Sequence, residues 1–305
     1  MLQLRNIIIL ALLNFSLMGC QGEMKEIKNT EKISVQATDC PKYILKNREN
    51  NLNISVLLDL SDRIEKKNTI QKDSAYLSSL SKAFVNHVKK KQLILLEDRM
   101  QVFFNPIPDD NKINRIAEKL RIQFTRDTHK EDLDKTISLY SEYPAQLYTL
   151  AKKDAKAANK YLGSDIWGFF KYHIKDYCID ECHRNILVIL TDGYMYHKNM
   201  IKTKENQTSY ITPKSMYRLG LNKSDWREVM KNKNLGFIPI ENKLNDLEVL
   251  VIGVESDNEK NPYARDILEK YWSNWFDTMN IRNYKIKSAD IPSSIEKVIF
   301  DFINR

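Results

Sequence analysis

Three apolar runs in the chain predict strands that are buried on both faces of a sheet. They cover residues 54–58, 185–190 and 247–253. β-branched residues such as Ile54 and Val56 are frequent in them, as expected for strands. A nearly unbroken apolar run of this length is typical of a parallel sheet, because helices cover both of its sides.

Apolar residues at spacings of three and four predict amphipathic helices between and after these strands. The helical patterns cover residues 72–91, 111–124, 131–160, 224–233, 263–279 and 295–303, and a short helix begins near residue 167. Short strands are predicted at 101–104 and, at an edge, at 284–287. Since strands and helices alternate from residue 54 to the end, the sequence predicts an α/β fold. It would be doubly wound and mostly parallel, with helices on both faces.

Polar side chains follow the first two strands at the points where the apolar runs end. Asp59 and Ser61 follow the first run, and Asp192 follows the second. The carboxyl ends of parallel strands form the edge where open α/β sheets bind ligands, so these side chains are candidates for a site. Helix capping by Asp59 and Ser61 is the simpler explanation for the first stretch taken alone.

The order of three short motifs resembles the von Willebrand factor A (VWA) family over residues 50–305. The motifs are Asp59-x-Ser61, Gly163-Ser164-Asp165-Ile166 and Leu190-Thr191-Asp192-Gly193. In that family three such loops form a metal-ion-dependent adhesion site. The resemblance implies a cation, Mg²⁺ or else Mn²⁺ or Ca²⁺, bound by Asp59, Ser61, Ser164 and Asp192, with Ser164 in the place of a threonine. Oxygen ligands suit such hard cations. An open coordination position would then accept a carboxylate from a partner protein.

Arg63 departs from the family pattern, which is Asp-x-Ser-x-Ser, because it stands where the second serine is expected. Arginine has no oxygen ligand and carries a fixed positive charge. In one alternative, Arg63 points away, and water with Asp62 or Asp165 completes the metal site. In the other, its guanidinium pairs with Asp59 and Asp192 and replaces the ion, leaving a VWA-like scaffold without metal. We favour the metal site.

An enzyme is the less favoured alternative to a binding protein. A metal-dependent phosphohydrolase would use Asp59 as nucleophile or ligand, but the second acid usual in such enzymes two residues later is Ser61 here. The chain also contains no glycine-rich phosphate loop, no Gly-x-Ser-x-Gly elbow and no His-Glu-x-x-His motif. The sequence therefore predicts a protein that binds and does not catalyse.

The amino terminus predicts export. Arg5 and an apolar stretch at residues 7–13 precede Leu17-Met18-Gly19-Cys20, which resembles a bacterial lipobox. The resemblance implies that residues 1–19 are a lipoprotein signal peptide and that Cys20 carries lipid. An ordinary secretory signal is the alternative. Residues 20–45 are polar and would be a flexible tether to a domain at 46–305. We expect a lipid-anchored protein of the bacterial cell envelope, facing the periplasm or the exterior.

Three further cysteines, Cys40, Cys178 and Cys182, would be open to oxidation in an exported protein. A disulfide between Cys178 and Cys182 is feasible if a helix ends between them, and one cysteine then remains. A zinc site formed by Cys178, Cys182 and His183 is the weaker alternative, because a fourth ligand is not evident.

The composition of the chain restricts the class of partner and of fold. The net charge is +8, but the lysines are scattered and form no stripe, so no nucleic-acid partner is expected. The chain has only 8 glycines and 8 prolines, and this scarcity argues against an all-β fold.

The insertion, residues 194–246, contains both aromatic and basic side chains. It would form either a recognition loop beside the metal site or a disordered surface segment.

Overall fold

The computed structural model describes residues 40, 51–91, 97–255 and 261–305. Its main strands are β1 (Leu52–Leu58), β2 (Arg99–Phe103), β3 (Ile122–Gln123), β4 (Arg184–Leu190), β8 (Leu247–Val254) and β9 (Asn283–Ser288). Within these described ranges they form one six-stranded sheet in the order β3-β2-β1-β4-β8-β9. All neighbouring strands are parallel except β2 and β3. The predicted α/β, doubly wound fold is confirmed.

The central strands are apolar along their whole length because both of their faces are covered. β1 and β4 pair in register from Leu52 and Arg184 onward, and every residue of both strands is buried. Alternate side chains enter two different cores, Ile54 and Val56 on one face and Leu57 on the other. Burying one such aliphatic side chain stabilises the fold by about 1.5–3 kcal/mol.

Helices cover both faces of the sheet. On the first face lie α1 (Thr69–Lys89), α2 (Asn111–Lys119), α3 (Lys130–Ala157) and α9 (Pro292–Ile303). On the second face lie α4 (Ile166–Tyr172), α5 (Ile174–Cys178) and α8 (Ala264–Thr278). The helix predicted at 111–124 ends at Lys119, and β3 follows it. The prediction extended this helix too far because Leu120 and Phe124 are buried and continue the helical spacing.

The insertion is folded and packs on the second face. It contains three strands, β5 (Thr203–Lys204), β6 (Gln207–Thr208) and β7 (Gly236–Phe237), and two helices, α6 (Pro213–Arg218) and α7 (Trp226–Asn232). The three strands form a small sheet of their own. Apolar residues of the insertion belong to the second core: Met195, Ile211, Met216, Leu221 and Trp226. The alternative of a disordered surface segment is therefore wrong.

The disulfide joins Cys40 to Cys182, so the predicted bond between Cys178 and Cys182 is wrong. The reason is the position at which α5 ends. Cys178 is its last residue, is fully buried and lies beside Ser55 of β1, and burial raises the pKa of its thiol to about 12. Cys182 lies in the turn before β4. Because Cys182 is oxidised, and because the His183 ring lies between Asp180 and Glu97, the zinc alternative fails as well.

The predictions for the amino terminus concern residues outside the described ranges. The signal peptide at 1–19, lipidated Cys20 and the tether at 20–45 stay predictions, with Cys40 the one described residue among them. Across the part of the chain that the structure describes, none of the helices combines the length and the apolar character needed to span a membrane.

Candidate functional site

The strand order creates a crevice between β1 and β4. The chain leaves β1 for α1 on the first face, whereas it leaves β4 for the insertion on the second face. Such a reversal opens a cleft at the carboxyl ends of the two strands, where doubly wound proteins bind ligands. Asp59 follows β1 at this point, and Asp192 follows β4. The fold therefore brings the two predicted carboxylates to one place.

Asp59 connects the loops that follow β1 and β4. Its carboxylate accepts hydrogen bonds from the Ser61 amide at 2.9 Å and from the Thr191 hydroxyl at 2.7 Å. Burial raises its pKa, the nearby charge of Arg63 lowers it in part, and that of Asp192 raises it again. Both carboxylate oxygens are engaged and the residue is only 3% exposed, which argues against Asp59 as the nucleophile of a phosphohydrolase.

Asp192 is bound by a lysine that the sequence analysis did not identify. Its Oδ1 accepts the Tyr194 amide at 3.1 Å, and its Oδ2 accepts the Lys66 ammonium at 3.0 Å. The Lys66 side chain is 23% exposed and that of Asp192 is 11% exposed, so the pair is largely covered. Lys66 and Asp192 are 126 residues apart, and no periodicity or motif links them.

Ser164 is held at the site by the insertion. Its amide donates to the Tyr196 carbonyl at 2.8 Å, and the residue is 4% exposed. The turn before it depends on Gly163, whose φ of +81° is unfavourable for other residues. A Cβ at Gly163 would lie 2.6 Å from the Tyr196 oxygen. Asp165, the next residue, caps α4 by accepting the Gly168 amide at 2.8 Å.

We expect Gly163→Ala to lower the free energy of unfolding by about 1–3 kcal/mol more than Gly220→Ala does. Both glycines have a similar positive φ, but a Cβ at Gly220 would meet no atom within 4 Å. The comparison therefore isolates the collision with Tyr196 from the backbone cost. Urea denaturation of the two variants measures it, and equal losses would contradict the close approach of the insertion to this turn.

Arg63 lies behind the site and not in it. Its guanidinium donates to both oxygens of Asp73, at 2.7 and 3.2 Å, and Tyr148 donates to the same carboxylate at 2.8 Å. One guanidinium nitrogen is 3.5 Å from the backbone oxygen of Asp59. Arg63 thus points away from the carboxylates of Asp59 and Asp192, as in the first alternative, and is buried against Asp73. The alternative in which Arg63 replaces the ion is not supported by these contacts.

The site opens to solvent through a pocket of about 700 Å³. Ser61, Ser164 and Asp192, one from each motif, line it. The insertion supplies another part of its wall, with Tyr194, Tyr196, Thr212 and Pro213. Lys66, Asp62 and Tyr161 are also in the lining. The prediction that the insertion lies beside the site is confirmed in its geometry, and Lys66 and Tyr161 are lining residues that the sequence did not indicate.

The donor set at this pocket consists of oxygen atoms. Within residues 51–91, 97–255 and 261–305, and at Cys40, no group of three or more His, Cys, Asp or Glu side chains is arranged to hold a metal ion. Of the predicted ligands, Ser61, Ser164 and Asp192 line the pocket, whereas Asp59 is buried beside it with both oxygens hydrogen-bonded. An ion at this pocket would therefore depend on these three oxygen ligands and on the nearby charge of Asp59. Such a set suits Mg²⁺ or Mn²⁺ and does not suit a soft metal.

Comparisons with known proteins do not extend this assignment. A scan against protein-family models finds no match, and searches of curated proteins and of solved structures find no match either.

Proposed function

We propose that the chain is an exported binding protein with a VWA-like domain. Its site would take a divalent cation at the carboxyl edge of the sheet and, through that ion, bind a carboxylate of a partner protein. One observation carries the proposal. Three motifs contribute Ser61, Ser164 and Asp192 to one pocket, although about a hundred residues separate the first two and about thirty the last two. Asp59 is hydrogen-bonded within the first of these loops and to the third.

The chemistry of the residues fits such an ion. Asp59 and Asp192 would supply charge, and Ser61 and Ser164 would supply neutral oxygen ligands. Two carboxylates at one crevice repel each other, and a dication stabilises both. When bound, the ion would supply a Lewis-acidic position that takes a carboxylate oxygen. The missing second serine, at Arg63, leaves one ligand fewer than the family pattern has, so water is expected to complete the shell.

A nucleotide is a less suitable ligand for this crevice, although doubly wound sheets often bind one there. Nucleotide sites of this kind place glycines directly after the first strand so that the backbone can approach phosphates. Residues 59–68, which connect β1 to α1, contain no glycine. This connection instead presents Asp59 and Ser61, which favours a cation over a phosphate.

The insertion supports an acidic protein as the partner. It contains ten lysines and arginines but only five acidic residues. Tyr196 and Tyr217 are largely exposed on it, at 45% and 71%. Exposed tyrosines beside positive charge are common at protein interfaces and would complement an acidic surface. The disulfide supports export, and with lipid on Cys20 the protein would be anchored in the cell envelope, facing the periplasm or the exterior.

Titration of Mn²⁺ into the metal-free full chain, purified in mild detergent, tests the site. We expect binding by the wild type and at least ~100-fold weaker binding by Asp192→Asn, which removes one negative ligand with little change in volume. Isothermal calorimetry measures both. Asp109→Asn is the matched control, because Asp109 is an exposed carboxylate outside the lining of this pocket. Absence of binding by the wild type, or equal losses in both variants, would refute the assignment.

A further inference from the structure

We propose that the Lys66 ammonium competes with the divalent cation for the Asp192 carboxylate and, once the cation has bound, serves as a binding residue for the partner protein. The ammonium holds the Asp192 carboxylate until a divalent cation displaces it, and the displaced ammonium then binds the partner's carboxylate. This inference rests on the proposed function, and it adds the residue that couples the two binding events.

The contact that carries the inference lies at the centre of the site. Lys66 Nζ and Asp192 Oδ2 are 3.0 Å apart, and both side chains are largely covered by protein. The backbone of Lys66 is held by its own amide, which donates to the Arg63 carbonyl at 3.1 Å and closes a 3₁₀ turn over Asp62–Glu65. Lys66 therefore leaves a fixed point of the connection between β1 and α1 and reaches across the crevice.

A divalent ion and the Lys66 ammonium would seek the same oxygen. Asp192 Oδ1 already accepts the Tyr194 amide, whereas Oδ2, which accepts Lys66, belongs to a carboxylate that lines the pocket. An ion that binds Oδ2 from the pocket would therefore compete with the ammonium for that oxygen. The Lys66 side chain is still 23% exposed, and partly exposed ion pairs are weak, so the exchange is expected to reduce ion affinity by only about two- to fivefold.

The displaced ammonium would stay at the pocket, because Lys66 itself lines it together with Ser61 and Ser164. The pocket would then contain a dication and an ammonium group beside the buried carboxylates of Asp59 and Asp192 and the exposed carboxylate of Asp62. A carboxylate ligand suits this arrangement, since one of its oxygens can coordinate the ion and the other can accept from Lys66. Ion and carboxylate binding would therefore favour each other.

Loss of Lys66 should change the two binding steps in opposite directions. In Lys66→Met, Mn²⁺ is expected to bind about two- to fivefold more tightly, because the competitor is gone. A labelled acetyl-Gly-Asp-Gly-amide peptide is expected to bind the Mn²⁺-loaded variant about tenfold more weakly than the loaded wild type. Lys66→Arg keeps the charge and should keep ion affinity near the wild-type value. Lys67→Met is the matched control, because the next residue is exposed and outside this pocket.

Calorimetry for Mn²⁺ and fluorescence anisotropy for the peptide give the two readouts, with the full chain in mild detergent and circular dichroism to check folding. Equal Mn²⁺ affinity in the wild type and in Lys66→Met would overturn the competition but leave the proposed ion site intact. Tighter Mn²⁺ binding with unchanged peptide affinity would overturn the role toward the partner. Absence of Mn²⁺ binding in every variant would overturn the proposed function as well.

Discussion

Asp73→Ala is expected to lower the free energy of unfolding by about 3–5 kcal/mol, because it leaves a buried guanidinium without its partner. Asp73 is 1% exposed and Arg63 is 3% exposed. The carboxylate binds both terminal nitrogens of Arg63 and also accepts the hydroxyl of Tyr148. Burial, with the charge of Asp73, raises the pKa of Tyr148 well above its usual value, so the hydroxyl remains a donor. Urea denaturation measures the loss.

The double variant Arg63→Met with Asp73→Leu separates the unpaired charge from the lost packing. Because it removes both charges, it should lose less stability than Asp73→Ala alone. Tyr148→Phe removes only one hydrogen bond to Asp73 and should cost about 0.5–1.5 kcal/mol. A loss below about 1 kcal/mol in Asp73→Ala would mean that Arg63 finds another partner when Asp73 is absent. Asp59, whose backbone it already approaches, would be the first acid to consider.

Cys182→Ala is expected to lower the free energy of unfolding by about 2–5 kcal/mol, because the bond to Cys40 closes a long loop in the unfolded chain. The two cysteines are 142 residues apart. Urea denaturation with and without a reductant should give the same decrease in the wild type as the substitution gives under oxidising conditions. The size of the effect depends on the bond staying intact during unfolding.

Cys178→Ala is the matched control for the disulfide. Cys178 is the free cysteine of the described residues and is fully buried, so its loss removes a sulfur from the core but no crosslink. The variant should keep a bond between Cys40 and Cys182, and peptide mapping by mass spectrometry without reduction should detect that crosslinked pair. A peptide pair joined through Cys178 in the wild type would contradict the observed connectivity.

The fold could be predicted because its information is local. β1, β4 and β8 are buried on both faces and therefore appear as apolar runs, and their helices show clear spacings of three and four. The strands β3, β5, β6 and β7 have only two residues each, too few to show any period. The insertion was ambiguous for the same reason, since its buried residues are separated by irregular backbone.

The parts of the site that lie at strand ends could be predicted from the sequence. The contacts made by long side chains that reach across the crevice could not. Ser61, Ser164 and Asp192 line one pocket, and Asp59 joins two of their loops, as expected. Lys66 reaches Asp192 across the crevice, and nothing in its local sequence indicates that contact. The partner of Arg63 could have been predicted, because Asp73 lies on the same face of α1 as its apolar residues, such as Leu77 and Leu80. A carboxylate at the start of such a stripe needs a buried cation.

The position of the disulfide determines how tension would pass through the protein. Cys182 precedes the amino end of β4, so the bond fixes Cys40 at the edge of the sheet opposite to Asp59 and Asp192. β4 spans about 20 Å between these edges, at roughly 3.3 Å per residue. A protein held through its amino-terminal segment and pulled by a partner at the pocket would be stretched along its strands. The parallel ladder between β1 and β4 would then resist in shear, with its hydrogen bonds strained together rather than opened one after another.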